Sequence, residues 1–290
     1  MAAPSSVFSR LLLATEHSEF DAGAERVALA LAARLKLVLP VVLAITGNPE
    51  FDAVAPELAQ RADVAAAGQL QLLRDVAAAQ GVQLAIRVRH GAEPYREIVD
   101  EARAQNTEVI VIRRRGRTGL LANLLIGEMV GKVVAHAPCS VLVNARGAQL
   151  WQRRIVAAVD LQALDAAVVD QAATLAVGFG LPLTILCVAA GTAENRMQMQ
   201  PALDAALAKA RALGAVVNSE QLAGKVHEQI IATTQRLGAD LIVLGRHEAT
   251  RLSRATMGSV AQKVIGMADC PVLVCAPRAN AAIANVEKMA

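Results

Sequence analysis

Short runs rich in Val, Ile and Leu alternate along the chain with longer Ala-rich stretches whose apolar positions recur at helical spacing. Residues 11–15, 37–45, 82–88, 109–112 and 141–143 form one set of such runs, and residues 155–159, 183–188, 215–217, 241–244 and 272–274 form a second. Each run is short and bounded by polar or glycine-bearing residues, as strands are. Five strand–helix alternations in each half predict an α/β protein: parallel sheets, right-handed crossovers and helices on both faces. The first run of each half leads into an acid, Glu16 in one and Asp160 in the other.

The two sets are copies of one unit. Residues 127–143 read GEMVGKVVAHAPCSVLV and residues 258–274 read GSVAQKVIGMADCPVLV, identical without a gap at eight of 17 positions. Gly127/Gly258, Lys132/Lys263 and Cys139/Cys270 are among the matches. A repeat of this size is a whole domain. Residues 146–152, short and polar, separate the copies, so the expected domains are 1–147 and 152–278, with a peripheral Ala-rich tail after Arg278.

Composition narrows the picture. The 290 residues are 54% hydrophobic but only 2% aromatic, so the cores must be built from Ala, Val, Leu and Ile. Such cores suit sheets covered on both faces. A net charge of +3 is mild and does not by itself point to a polyanion binder, although local clusters still matter. Cys139, Cys187, Cys270 and Cys275 lie in apolar runs with no metal spacing and read as buried thiols in a reducing compartment. The first ten residues lack a basic segment followed by an apolar core. Residues 27–45 and 166–190 are broken by Arg34, Lys36, Pro40, Asp170, Gln171 and Pro182. Neither a signal peptide nor a membrane span is expected, and the expected location is the cytoplasm.

In an open parallel sheet, ligands bind beyond the carboxyl ends of strands where the strand order reverses. That directs attention to the loops after the first and fourth strands. In the second half the fourth strand ends at Leu244, Gly245 opens the loop that follows it, and Gly258-Ser259 opens the next helix. Glycines allow close backbone approach, and a helix start with a serine hydroxyl suits a phosphate. Asp160 would stand across the crevice as an acceptor for ribose or adenine.

These residues resemble the universal stress protein family, whose nucleotide loop is Gly, two residues, Gly, nine residues, Gly, then Ser or Thr. Gly245, Gly258 and Ser259 match in spacing, Asp160 matches the strand-one aspartate, and the run from Cys270 to Val274 is also similar. Both halves share the likeness, so the chain is identified as a tandem of two UspA-like domains. The resemblance implies strand order 3-2-1-4-5 in each half and an adenine nucleotide alpha hydrolase-like fold. It implies a pseudo-dimer joined through the last strands, residues 140–143 against 271–275. It also implies a regulatory adenine nucleotide such as ATP, with Mg only alongside ATP, held in the second half by Asp160, Val188, Gly245, Gly258, Ser259 and Val260. Turnover would be at most slow ATP hydrolysis. A further homodimer or another protein partner is compatible with it.

Both halves depart from the pattern. Glu248 stands where the second loop glycine belongs, and a carboxylate there repels phosphate; Arg246, His247, Arg251 and Arg254 are available to offset it. In the first half, Glu16 replaces the aspartate, Arg113 replaces the first glycine, Glu128 replaces the Ser or Thr, and Gly116 lies one residue too far from Gly127. An acid at the helix start competes for the N–H groups that phosphate would use, so this half reads as empty of ATP.

Other features have ordinary readings. The cluster Arg113, Arg114, Arg115 and Arg117 reads as a solvated loop, and without interleaved aromatics it does not suit nucleic acid. Gly127 to Lys132 lacks the spacing and the Ser or Thr of a P-loop. His17 and His247 fall in crevice loops without a visible carboxylate to orient them, and the histidines show no metal spacing. No catalytic constellation is present. Two rivals remain: a nucleotide-free interaction module with both crevices degenerate, and a hydrolase, for which the serine-rich loop after strand one is missing.

Overall fold

The computed structural model describes residues 7–46, 56–114, 127–160, 166–189, 193–246 and 257–276. Ten strands form one sheet: β1 (Leu11–Ala14), β2 (Leu39–Thr46), β3 (Leu84–Gly91), β4 (Val109–Arg113), β5 (Ser140–Asn144), β6 (Ile155–Ala158), β7 (Leu183–Ala189), β8 (Val217–Ala223), β9 (Leu241–Gly245) and β10 (Val272–Cys275). Their spatial order is β3-β2-β1-β4-β5-β10-β9-β6-β7-β8. Each half therefore has the order 3-2-1-4-5, and all pairings within a half are parallel. The halves meet at β5 and β10, which pair antiparallel with Val272 opposite Val143, Leu273 opposite Leu142 and Val274 opposite Val141. The last strands are joined as the family pattern implies, and the union removes two open edges.

Helices cover both faces. One layer carries α1 (Ala22–Leu35), α2 (Pro56–Ala79), α5 (Ala166–Phe179) and α6 (Ala193–Ala212). The other carries α3 (Pro94–Ala104), α4 (Glu128–His136), α7 (Val226–Arg236) and α8 (Ser259–Met267). Each layer buries one continuous apolar cluster containing residues of both halves. Strands β1, β4 and β10 are buried along their whole length, as expected for apolar runs covered on both sides.

Two sequence expectations need correction. The third strands are displaced: β3 runs to Gly91 rather than ending at Val88, and β8 extends from Val217 to Ala223 instead of covering 215–217. Both are outer strands with a half-exposed surface, so Asn218, Glu220 and Gln221 are tolerated and an apolar run is not required. The connection is also not a polar tether. Ala148 and Trp151 are buried in the cluster shared by both halves, and Trp151 packs on Phe179 with ring centroids 5.0 Å apart. Arg26 Nη1 donates to the Ala148 carbonyl at 2.7 Å. Asp240 accepts hydrogen bonds from the backbone N–H groups of Gln152, Arg153 and Arg154, fixing the entry into β6. The tail after Arg278 lies outside the described residues.

Candidate functional site

The crevice of the second half is built by strand register. Ala158 pairs with both Leu244 and Leu186, so the carboxyl ends of β6, β9 and β7 lie side by side. Asp160, exposed, follows β6; half-buried Val188 lies near the end of β7; Gly245 ends β9. The Gly258 N–H donates to the Arg246 carbonyl at 3.0 Å, closing the base of the intervening loop. Gly258 then caps α8 in an extended conformation (φ −59°, ψ 148°), Ser259 is exposed in the first turn, and Val260 packs into the apolar layer. The structure thus brings Asp160, Val188, Gly245, Gly258, Ser259 and Val260 to one edge of the sheet. A residue bearing an acceptor carboxylate and a helix start thus share this edge, and such groups suit a polar ligand that carries a hydroxyl and an anion. His247, Glu248, Arg251 and Arg254 lie outside the described residues.

The matching crevice of the first half is filled. Arg113 ends β4 as Gly245 ends β9, but its side chain is only 4% exposed. Its guanidinium meets Asp21 Oδ2 at 2.7 Å, Ser18 Oγ at 2.6 Å and Glu16 Oε2 at 2.8 Å. Asp21 is 1% exposed and also accepts from the Ser18 hydroxyl and the Ser18 N–H. The cavity left between Thr15, Asp21, Val42, Ile98, Arg113 and Met129 is about 10 Å³, enough for about one water. The expectation of a solvated arginine loop therefore fails at Arg113, because two carboxylates neutralise it inside the crevice. Arg115, Gly116 and Arg117 lie outside the described residues.

His17 sits beside this network in a left-handed conformation (φ 49°). Its Nδ1 lies 3.0 and 3.1 Å from the two carboxylate oxygens of Glu25, which also accepts from Thr15 Oγ1 at 2.6 Å. A carboxylate does orient His17, contrary to the sequence reading. It comes from the first turn of α1, eight residues on, where it reads as an ordinary helix-start acid.

The next arginine in each half crosses to the other half. Arg114 Nη1 donates to the carbonyls of Ile265, Gly266 and Ala268 at 2.8, 3.0 and 2.7 Å. Arg246 donates to those of Ala135, Ala137 and Cys139 at 3.3, 2.9 and 3.0 Å. Each guanidinium thus serves the end of its partner half's helix, α8 or α4. Burial lowers both arginines from their ordinary values, the larger influence in each case. Arg246 is consequently not at hand to offset Glu248, as the sequence suggested; it is buried against the first half.

A doubled open α/β sheet with the last strands of its two halves joined defines the class. The sequence model of the universal stress protein family matches residues 8–144 and 152–276, and the chain belongs to that family. Two universal stress proteins of Methanocaldococcus jannaschii are similar to parts of it. One is 40% identical over 75 residues, covering 26% of this chain and 44% of the relative. The other is 39% identical over 51 residues, covering 18% and 32%. The chain thus spans less than half the length of these curated relatives. Among solved structures, a universal stress protein from Archaeoglobus fulgidus aligns over 93% of this chain and 97% of its own, with a TM-score of 0.69 and 20% identity. A putative universal stress protein from Pseudomonas aeruginosa aligns over 97% of each chain, with a TM-score of 0.67 and 20% identity. At that identity the likeness is one of fold. Among the described residues, no helix is long and apolar enough to cross a membrane.

Proposed function

We propose that the chain is a cytoplasmic stress-response protein that holds one adenine nucleotide, in its second half, as a regulatory ligand rather than a substrate. The observation that carries this reading is the contrast at one position. Gly245 leaves the second crevice without a side chain where Arg113 fills the first. Asp160 accepts from the nucleoside end, the backbone near Val188 meets the base, and Gly258, Ser259 and Val260 at the start of α8 take the phosphates. Mg enters only with ATP. The output is a change of shape or of partner affinity, which requires that nucleotide favour one of two states.

The test is to purify the chain without added nucleotide, denature it and identify released small molecules by mass spectrometry, with ATP titrated by calorimetry in parallel. One adenine nucleotide per chain supports the reading. No released nucleotide and no heat at millimolar ATP overturns it. That second outcome favours a nucleotide-free interaction module, a rival with one specific observation behind it: the withdrawal of Arg246 leaves one cation fewer to balance Glu248.

A further inference from the structure

The last carbonyls of a helix have no acceptor role within it and must be satisfied from outside. At the end of α8, Ile265, Gly266 and Ala268 all receive Arg114, which stands one residue past β4 of the other half. Helix α8 has nine residues, so its two ends are about 14 Å apart. Its start is the Gly258-Ser259 end proposed to take phosphate. We propose that Arg114 is a positioning residue for that site. It pins the far end of α8 to the first half and sets how deeply the near end reaches into the second crevice. This rests on the nucleotide reading given above.

The mirror contact has no such use. Arg246 holds the end of α4, whose start carries Glu128, paired with Lys132 at 2.8 Å, beside a crevice already filled by Arg113. The exchange of arginines is symmetric, but a ligand gains from it in one direction only. The first half, with its own crevice closed, thereby acts as a brace for the second. A cation at a helix end also complements the negative pole of the helix, and the half-buried Arg114 guanidinium with three carbonyl partners does so with fixed geometry.

The brace predicts a selective loss. Adenosine would use the Asp160 and Val188 side of the crevice, whereas ATP also uses α8. Calorimetric titration of the full chain with ATP and with adenosine should show Arg114→Ala weakening ATP by about three- to tenfold, with adenosine changed less than about twofold. Arg114→Lys should recover part of the ATP loss, since an ammonium reaches some of the same carbonyls. Equal weakening of both ligands would mean that Arg114 serves stability alone, and unchanged ATP affinity would mean that α8 holds its place without it; either overturns the proposal. Should Arg114→Ala not fold, Arg114→Gln and Arg114→Lys carry the same comparison. A wild-type chain that binds neither ligand removes the nucleotide reading itself, and the brace with it. That result differs from a wild type that binds while the variants match it.

Discussion

Leu142 and Leu273 pair with each other across the junction of β5 and β10, and each is the other's counterpart in the repeat. The local twofold relation between the halves therefore passes through this pair. Both side chains are buried, at 0% and 1% exposure, and they lie in one apolar cluster with Trp151. The junction is part of a core rather than a contact between finished domains.

Leu273→Ala should therefore weaken the whole chain, not one half. A cavity at a fully buried leucine costs about 2–5 kcal/mol. The single tryptophan, Trp151, sits in the shared cluster. Its fluorescence and far-UV circular dichroism should follow the same urea transition in wild type and variant. Two separated transitions would contradict the continuous core.

Arg113→Ala removes the partner of a carboxylate that is 1% exposed, Asp21. Breaking such a pair costs about 3–5 kcal/mol, because the remaining charge stays buried. Thermal unfolding should show a clear drop. The number of nucleotides bound per chain should not rise, since Glu16, Asp21 and Glu128 still oppose phosphate in that half.

Glu101, on α3, is buried, yet its carboxyl is held below the ordinary value. Burial alone would raise it; hydrogen bonds from Arg89 and Gln105 and the charges of Arg87 and Arg89 more than reverse this. A lowered folded value gives stability that is full above the unfolded pKa of about 4.3 and is lost as pH falls through the folded value. Glu101→Gln should lower stability at neutral pH by about 1–3 kcal/mol. Its unfolding midpoint should also change less than that of wild type between about pH 6 and pH 3. Parallel midpoint curves would show that Glu101 is not the acid-sensitive group.

Burial pushes the thiols of Cys139 and Cys270 up to about 12. Thiolate is the reactive form, so at about pH 8 both should be slow toward a disulfide reagent. Cys139, Cys187 and Cys275 are buried, while Cys270 is half-buried rather than buried as the sequence suggested. The native protein should release little thiol colour in minutes, and all four cysteines should titrate once it is denatured. Rapid native reaction of Cys139 would show that the β5 junction opens readily.

Legibility in the sequence followed the range of the interactions. The buried strands were visible because Val109 to Ile112, Val141 to Val143 and Val272 to Val274 must be apolar on both faces. The outer strand β8 was not, since Asn218, Glu220 and Gln221 break an apolar run without breaking a half-exposed strand. That Asp160, Gly245, Gly258 and Ser259 share one edge of the sheet was readable because spacing and residue type mark them locally. The closure of the first crevice was not. Arg113 is neutralised by residues 92 to 97 positions earlier, and Arg114 reaches carbonyls 151 to 154 positions later. A charge run shows neither. Trp151, set among polar neighbours, likewise gave no sign that the connection is buried.

The junction of β5 with β10 also alters what a substitution does. In a symmetric homodimer every change appears twice, once on each side of the twofold, so a residue that closes one crevice closes both. With both partners encoded in one chain, Arg113 can stand opposite Gly245, and Glu128 opposite Ser259, without any compromise between them. Joining the halves separates their mutational fates while leaving their sheet whole.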